Sequence, residues 1–132
     1  MADPVTEFED LSRFIVNENH FRKKDLSIKP QAFFPNKAGE TSVFRKSGLS
    51  NGAIWDIAHS VAQQLDKTLF GRADIRVSDV IEQGLSVEPD EPPEKHANIV
   101  GWPQEESDKA KRMIIGLKLA AASRPIFLQS TS

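Results

Sequence analysis

Only two stretches of this chain carry a sustained apolar stripe at helical period, and proline and glycine cut the rest into short pieces. In the first stretch, Ile54, Ile57, Ala58, Val61, Ala62 and Leu65 recur at helical spacing, which puts them on one side of a helix. Ser50 is a ready N-cap and Gly48 breaks the chain just before it. The spacing predicts a helix over 51–65, with Trp55 and His59 flanking the stripe four residues apart, close enough for their rings to touch. The second stretch predicts a helix over about 105–122, started near Gln104 or Ser107. Its acids Glu105, Glu106 and Asp108 suit the positive end. Ala110, Met113, Ile114, Leu117 and Ala121 form its expected buried stripe, and Arg124-Pro125 ends it. Gly116 inside that helix costs about 1 kcal/mol relative to alanine, so a neighbour is expected to pack closely there.

The remaining pieces read as short strands and turns. Arg13–Val16 is apolar but too short to separate strand from helix. Pro30 and Pro35 block long elements, leaving extended pieces near 27–28 and 32–34. Residues 40–46 and 73–77 alternate as strands do, and so does 85–87. Between the last two, Ser78 is expected to cap a small helix over 79–83 that stops at Gly84. The sum is a single small α+β domain over 11–125 with two main helices and several short strands. Residues 1–10 are expected to be a flexible N-terminus and 126–132 a tail that docks or hangs free.

A length of 132 residues is one domain. With 39% apolar and 27% charged residues, disorder of the whole chain is not expected. No cysteine is present, which removes disulfides, thiolate metal sites and a cysteine nucleophile. No window approaches the roughly 20 apolar residues of a membrane span, and the acidic start lacks the pattern of a secretory signal. A cytoplasmic protein with no membrane association is expected.

Net charge is −2, with no global pull toward nucleic acid. The charge is uneven, however. Residues 13–46 hold eight basic side chains against three acids, and 88–108 hold seven acids against Lys95 alone. The two regions are expected to neutralise each other across the fold.

One run stands out for function. Stiff prolines and acids over Pro89–Glu94 lead into His96-Ala97-Asn98-Ile99, and Gly101-Trp102-Pro103 closes it. Period-two alternation puts His96 and Asn98 on one face, about 7 Å apart. Imidazole can move a proton, and an amide can orient a carbonyl, a phosphate or a base edge. The three histidines, His20, His59 and His96, are too widely spaced for a local metal motif, so no metal and no cofactor is expected. Neither a Gly-x-Ser-x-Gly elbow nor a phosphate-binding glycine loop occurs.

Three functions follow as expectations. The first is an interaction or accessory protein that binds a macromolecular partner, a protein first of all, through the acidic proline-rich 88–106 surface. Pro92, Pro93, Glu94 and Trp102 would make the contact, with His96 and Asn98 beside them. The second is an enzyme needing no metal, acting on RNA, a nucleotide or another phosphorylated substrate. His96 would be its acid or base, with Asn98 and Arg45 positioning the anion, and His20 or Arg72 converging with them. The third is a nucleic-acid binder through the basic 21–46 region, using Arg22, Lys23 and Lys24 interleaved with Phe21, Phe33 and Phe34.

Overall fold

The computed structural model describes residues 2–128. Strand β1 (Asp10–Ile15) lies in the middle of a six-stranded sheet with β2 (Thr41–Arg45), β3 (Gly71–Arg76), β4 (Ser86–Pro89), β5 (His96–Val100) and β6 (Arg124–Phe127). The order is β4-β5-β2-β1-β3-β6 and every pairing is antiparallel. Three helices accompany the sheet: α1 (Asn51–Gln64), α2 (Val77–Glu82) and α3 (Lys109–Ala122). The architecture is a single α+β domain, as the pattern of elements implies.

Alternation sorts the strand side chains onto two faces. Leu11, Ile15, Val43, Ala73, Ile75, Ala97 and Ile99 fill the larger core, closed by Phe33 and Leu119. Ser12, Phe14, Phe44, Arg72, Asp74, His96 and Asn98 point the other way, where Ile54 and Ala58 of α1 cover Phe14 and Phe44. The Phe14 and Phe44 rings stack at 5.1 Å. Because β1 is covered on both faces, it does not show the wet-side alternation that would have marked 13–16 as strand.

Helix α1 begins where its cap is expected, with Ser50 Oγ accepting from Ala53 N–H. Ile54, Ala58 and Ala62 are buried, while Leu65 at the end of the stripe is exposed. Trp55 does not meet His59; its ring takes the Arg72 guanidinium at 4.5 Å instead.

The other helices depart further from the sequence pattern. Helix α2 starts directly after β3, at Val77 and not after Ser78. Its first donors need no side-chain cap, because Val77 and Ser78 N–H bond the Glu9 and Glu7 carbonyls. Those bonds, together with Asp3 and Pro4 carbonyls on Arg45, tie down the N-terminal segment that the sequence leaves loose. Gly84 does take the left-handed conformation, at φ +80°.

Helix α3 turns a different face inward from the one expected. Gly116 and Leu119 are buried, while Ile114 and Leu117 are 53% and 48% exposed and Ala110 and Ala121 lie open beside them. Gly116 decides this. A Cβ there would sit 2.6 Å from Phe34 and 3.0 Å from Pro30. The bare glycine face is therefore where the 3₁₀ turn Pro30–Phe33 docks. That turn replaces the extended piece expected near 32–34; Pro30 fits its first position.

The sheet ends in two edge strands. The bonds Asp90 N–H to His96 O and Leu128 N–H to Phe70 O set which residues face inward. Pro89 and Pro125 then fall at outward positions, where a missing N–H blunts strand addition. Part of the expected tail is thus strand β6; residues 129–132 of it lie outside the described residues.

Candidate functional site

Strand β5 pairs with β2 so that His96 lies opposite Phe44 and Asn98 opposite Ser42. These four side chains share one face. Diagonal neighbours on a sheet face are within reach of long side chains, and His96 Nε2 lies 2.7 Å from Ser42 Oγ. The loop before β5 folds back behind the imidazole. Asp90 N–H bonds the His96 carbonyl, and His96 N–H bonds the Pro93 carbonyl. The Asp90 carbonyl is 2.9 Å from His96 Nδ1, and the Asp90 carboxylate is 3.3 Å from the same nitrogen. Asn98 Nδ2 donates to that carboxylate at 3.0 Å and holds it in place.

This geometry assigns the tautomer. A backbone carbonyl can only accept, so Nδ1 carries the proton and donates it toward Asp90. In neutral His96 the Nε2 lone pair is then free to accept the Ser42 hydroxyl hydrogen. Carboxylate, imidazole and hydroxyl form one chain, ending at a cleft.

The cleft holds about 320 Å³ between α1 and the sheet. Phe14, Phe44, Val61, Leu65 and Pro93 give it apolar walls, and among the described residues no carboxylate lines it. A second cleft of about 360 Å³ shares Phe44, Val61 and Pro93 with it and carries Asp56, Glu94 and Lys95. The two form one groove with its acids at the far end.

Arg13 stands beside Ser42. The β1–β2 ladder has only two rungs, Leu11 opposite Arg45 and Ser12 opposite Phe44. Past them the Arg13 guanidinium enters the gap, where Nη1 donates to the Ser42 carbonyl at 2.9 Å and Nε to the Ala32 carbonyl at 2.7 Å. Burial lowers its pKa to about 10.

Of the residues singled out in the sequence, His96 and Asn98 meet at Asp90 instead of standing outward together. Asn98 is buried. Arg45 is not with them. It follows Phe44, so it faces the other side of the sheet, where both its terminal and ε nitrogens bond Glu9 at 2.8 Å. Burial by itself would raise the Glu9 carboxyl, but the Arg45 hydrogen bonds and the Thr6 N–H outweigh it and hold it low. The same pair raises Arg45. Arg72 is bound to Asp74 and Asn51 under Trp55.

His20 lies in the 3₁₀ turn Glu18–His20 and does not line the groove. Burial, with Arg13 and Lys67 nearby, pushes its pKa down to about 4, and Glu18 pairs with Lys23 instead. His59 is exposed on α1.

Trp102 is 3% exposed and packs edge-on against Phe34, so it cannot anchor a partner from the surface. Pro92, Pro93 and Glu94 are exposed. Arg22, Lys23 and Lys24 are exposed too, but Phe21 and Phe33 belong to the core and offer no stacking platform beside them. No ion pair among the described residues joins the basic 13–46 region to the acids of 88–108; Lys46 and Arg45 find Asp74 and Glu9 instead. No group of three or more His, Asp or Glu side chains suited to a metal occurs among the described residues.

Ser42, Asp90 and Arg13 were invisible as site residues in the sequence. Ser42 and His96 are 54 positions apart, and no short motif joins them. No family model, curated protein or solved structure matches the chain at a significant level.

Proposed function

We propose that this protein is a small hydrolase of the serine type, acting on an ester with an apolar acyl group. The reading rests on one observation: Ser42 Oγ is 2.7 Å from the acceptor nitrogen of an imidazole whose other nitrogen is held by Asp90, at the wall of an apolar cleft. A hydroxyl with a base in hydrogen-bond reach, and a third group orienting the base, is the arrangement of an activated nucleophile.

Ser42 Oγ attacks the ester carbonyl and its proton passes to His96 Nε2. The imidazolium is stabilised by the Asp90 carboxylate at its far edge. As the tetrahedral adduct collapses, the C–O bond to the leaving alkoxide breaks and that oxygen takes the proton from Nε2. Water then attacks the acyl–Ser42 ester with His96 again as base. The carboxylic acid leaves and Ser42 regains its hydrogen.

A fluorophosphonate probe tests this directly. The expected result is a covalent adduct on Ser42, found by peptide mass mapping, that disappears in Ser42→Ala and falls at least tenfold in rate in His96→Ala. Absence of the adduct in the folded wild-type protein, with no cleavage of p-nitrophenyl butyrate, overturns the reading.

A second reading keeps the chain as an interaction protein, and the exposure of Pro89 through Glu94 favours it. A macromolecular partner would then grip this acidic rim. Pro93→Ala with Glu94→Lys would weaken capture of that partner and leave Ser42 unlabelled in both forms.

A further inference from the structure

Arg13 is a cation in the wall of the cleft with no counter-ion among the described residues. Its two protein hydrogen bonds go to neutral carbonyls, of Ala32 and Ser42. No ion pair among the described residues includes it. Arg13 is partly buried, and the two fully buried arginines of the fold are treated differently: Arg45 has Glu9 and Arg72 has Asp74. A desolvated, unpaired charge is costly and is ordinarily neutralised by an opposite one. A guanidinium offers five N–H donors; two are taken by carbonyls, and Arg13 lines the cleft.

The surroundings give that charge a direction. Among the described residues no carboxylate lines the Arg13 end, while the other end of the groove carries two acids, Asp56 and Glu94, against Lys95, whose ammonium bonds the Ser47 carbonyl. The Asp90 carboxylate lies behind the imidazole, on the Nδ1 edge. Phe14, Phe44 and Val61 make the walls between. An occupant with a negative head and an apolar body would therefore lie head toward Arg13.

We infer that the groove binds aliphatic carboxylates, with Arg13 holding the carboxylate head beside Ser42 and His96 and the chain lying between α1 and Phe44. This rests on the reading of the groove as the ligand site, and it names the acyl class that an esterase there would release. It does not require Ser42 to react.

The test follows the His96 ring resonances by NMR during titration with hexanoate and with hexanamide, its uncharged analogue of matching length. Hexanoate is expected to shift the ring signals saturably and to bind at least tenfold more tightly than hexanamide, a difference of about 1.4 kcal/mol. Equal responses to the two, or no response to hexanoate at 20-fold or greater excess, overturn the inference. Arg13→Gln is expected to lose the hexanoate response while keeping dispersed amide signals, and retention of the response in that variant also overturns it. If Arg13→Gln does not fold, the hexanoate–hexanamide pair on the wild type decides alone. A saturable hexanoate shift without fluorophosphonate labelling would remove the hydrolase and leave the carboxylate site standing.

Discussion

The two faces of the one sheet are built on opposite principles. The face under α2, α3 and the Pro30–Phe33 turn is an apolar core with one buried ion pair among the described residues, Arg45–Glu9, at its margin. The face under α1 is mixed. Phe14, Phe44, Ile54 and Ala58 form a small apolar patch, and polar groups flank it on both sides. On the β3 side Asp74 collects Ser12 Oγ at 2.6 Å, Lys46 Nζ at 3.1 Å and Arg72 Nε at 3.2 Å. On the β5 side lie Ser42, His96, Asn98 and Asp90. A single helix is too narrow to cover six strands, since it spans only about 10–12 Å with its side chains. The uncovered β2–β5 margin becomes the groove. The dry face supplies stability without chemistry, and the half-covered face supplies polar groups held in place by the rigid strands beneath.

The contrast is sharpest at Asp74. Asp74→Ala leaves Arg72 buried beside Lys46 with no carboxylate, and Arg72 Nη1 already lacks a partner among the described residues. Loss of one partner from a buried pair costs about 3–5 kcal/mol. Urea unfolding should show a loss of that size, as large as an apolar truncation in the opposite core. A loss under about 1 kcal/mol would mean that this polar layer contributes nothing to holding β3 against α1.

A smaller effect is expected from His20, on the margin between the faces. Its folded pKa is depressed to about 4 from 6.5, so between those values the unfolded chain binds more protons than the folded one. Stability therefore rises with pH across this window and falls as pH drops from 6.5 toward 4. Thermal melts across pH 4–7 should show this slope, and His20→Gln should flatten it. An unchanged slope in the variant would place the acid sensitivity of this window elsewhere; the lowered Glu9 carboxyl loses its contribution only below pH 4.5.

The smallest effect belongs to the outer side of α3. Ile114→Ser and Leu117→Ser should each change stability by no more than about 0.5 kcal/mol, because neither side chain is in the core. A loss of about 2 kcal/mol or more, measured by the same urea unfolding, would show that the stripe is covered after all.

That last case shows how far the residue pattern reaches. Helix α1 was legible because its cap, its breaker and its stripe agree with one another. Helix α3 is apolar on two sides, and periodicity cannot rank them; the missing Cβ of Gly116 and the shape of Pro30 and Phe34 do. The His96–Asn98 alternation was legible as well, since strand period alone puts them on one face. Their partners were not. Arg45 carries the right charge but sits one residue from Phe44, and a shift of one residue along a strand is a change of face. Trp102 between glycine and proline could anchor into its own core or into a partner; the structure buries it, and Arg112 pins the turn it belongs to by bonding the Pro103 and Glu105 carbonyls.

Taken by itself, the amino-acid order determined the local matters: two long helices, strands of four to six residues, a stop at Gly84 and a polar pair at 96 and 98. These depend on side-chain shape, backbone freedom and a period of 2 or 3.6, all of which act over a few neighbours. Tertiary structure decided which faces are buried, that Ser42 meets His96, and that Arg13 pairs with no acid among the described residues. Those outcomes depend on strand order and register, which join residues tens of positions apart and are fixed only when the whole sheet closes over its core.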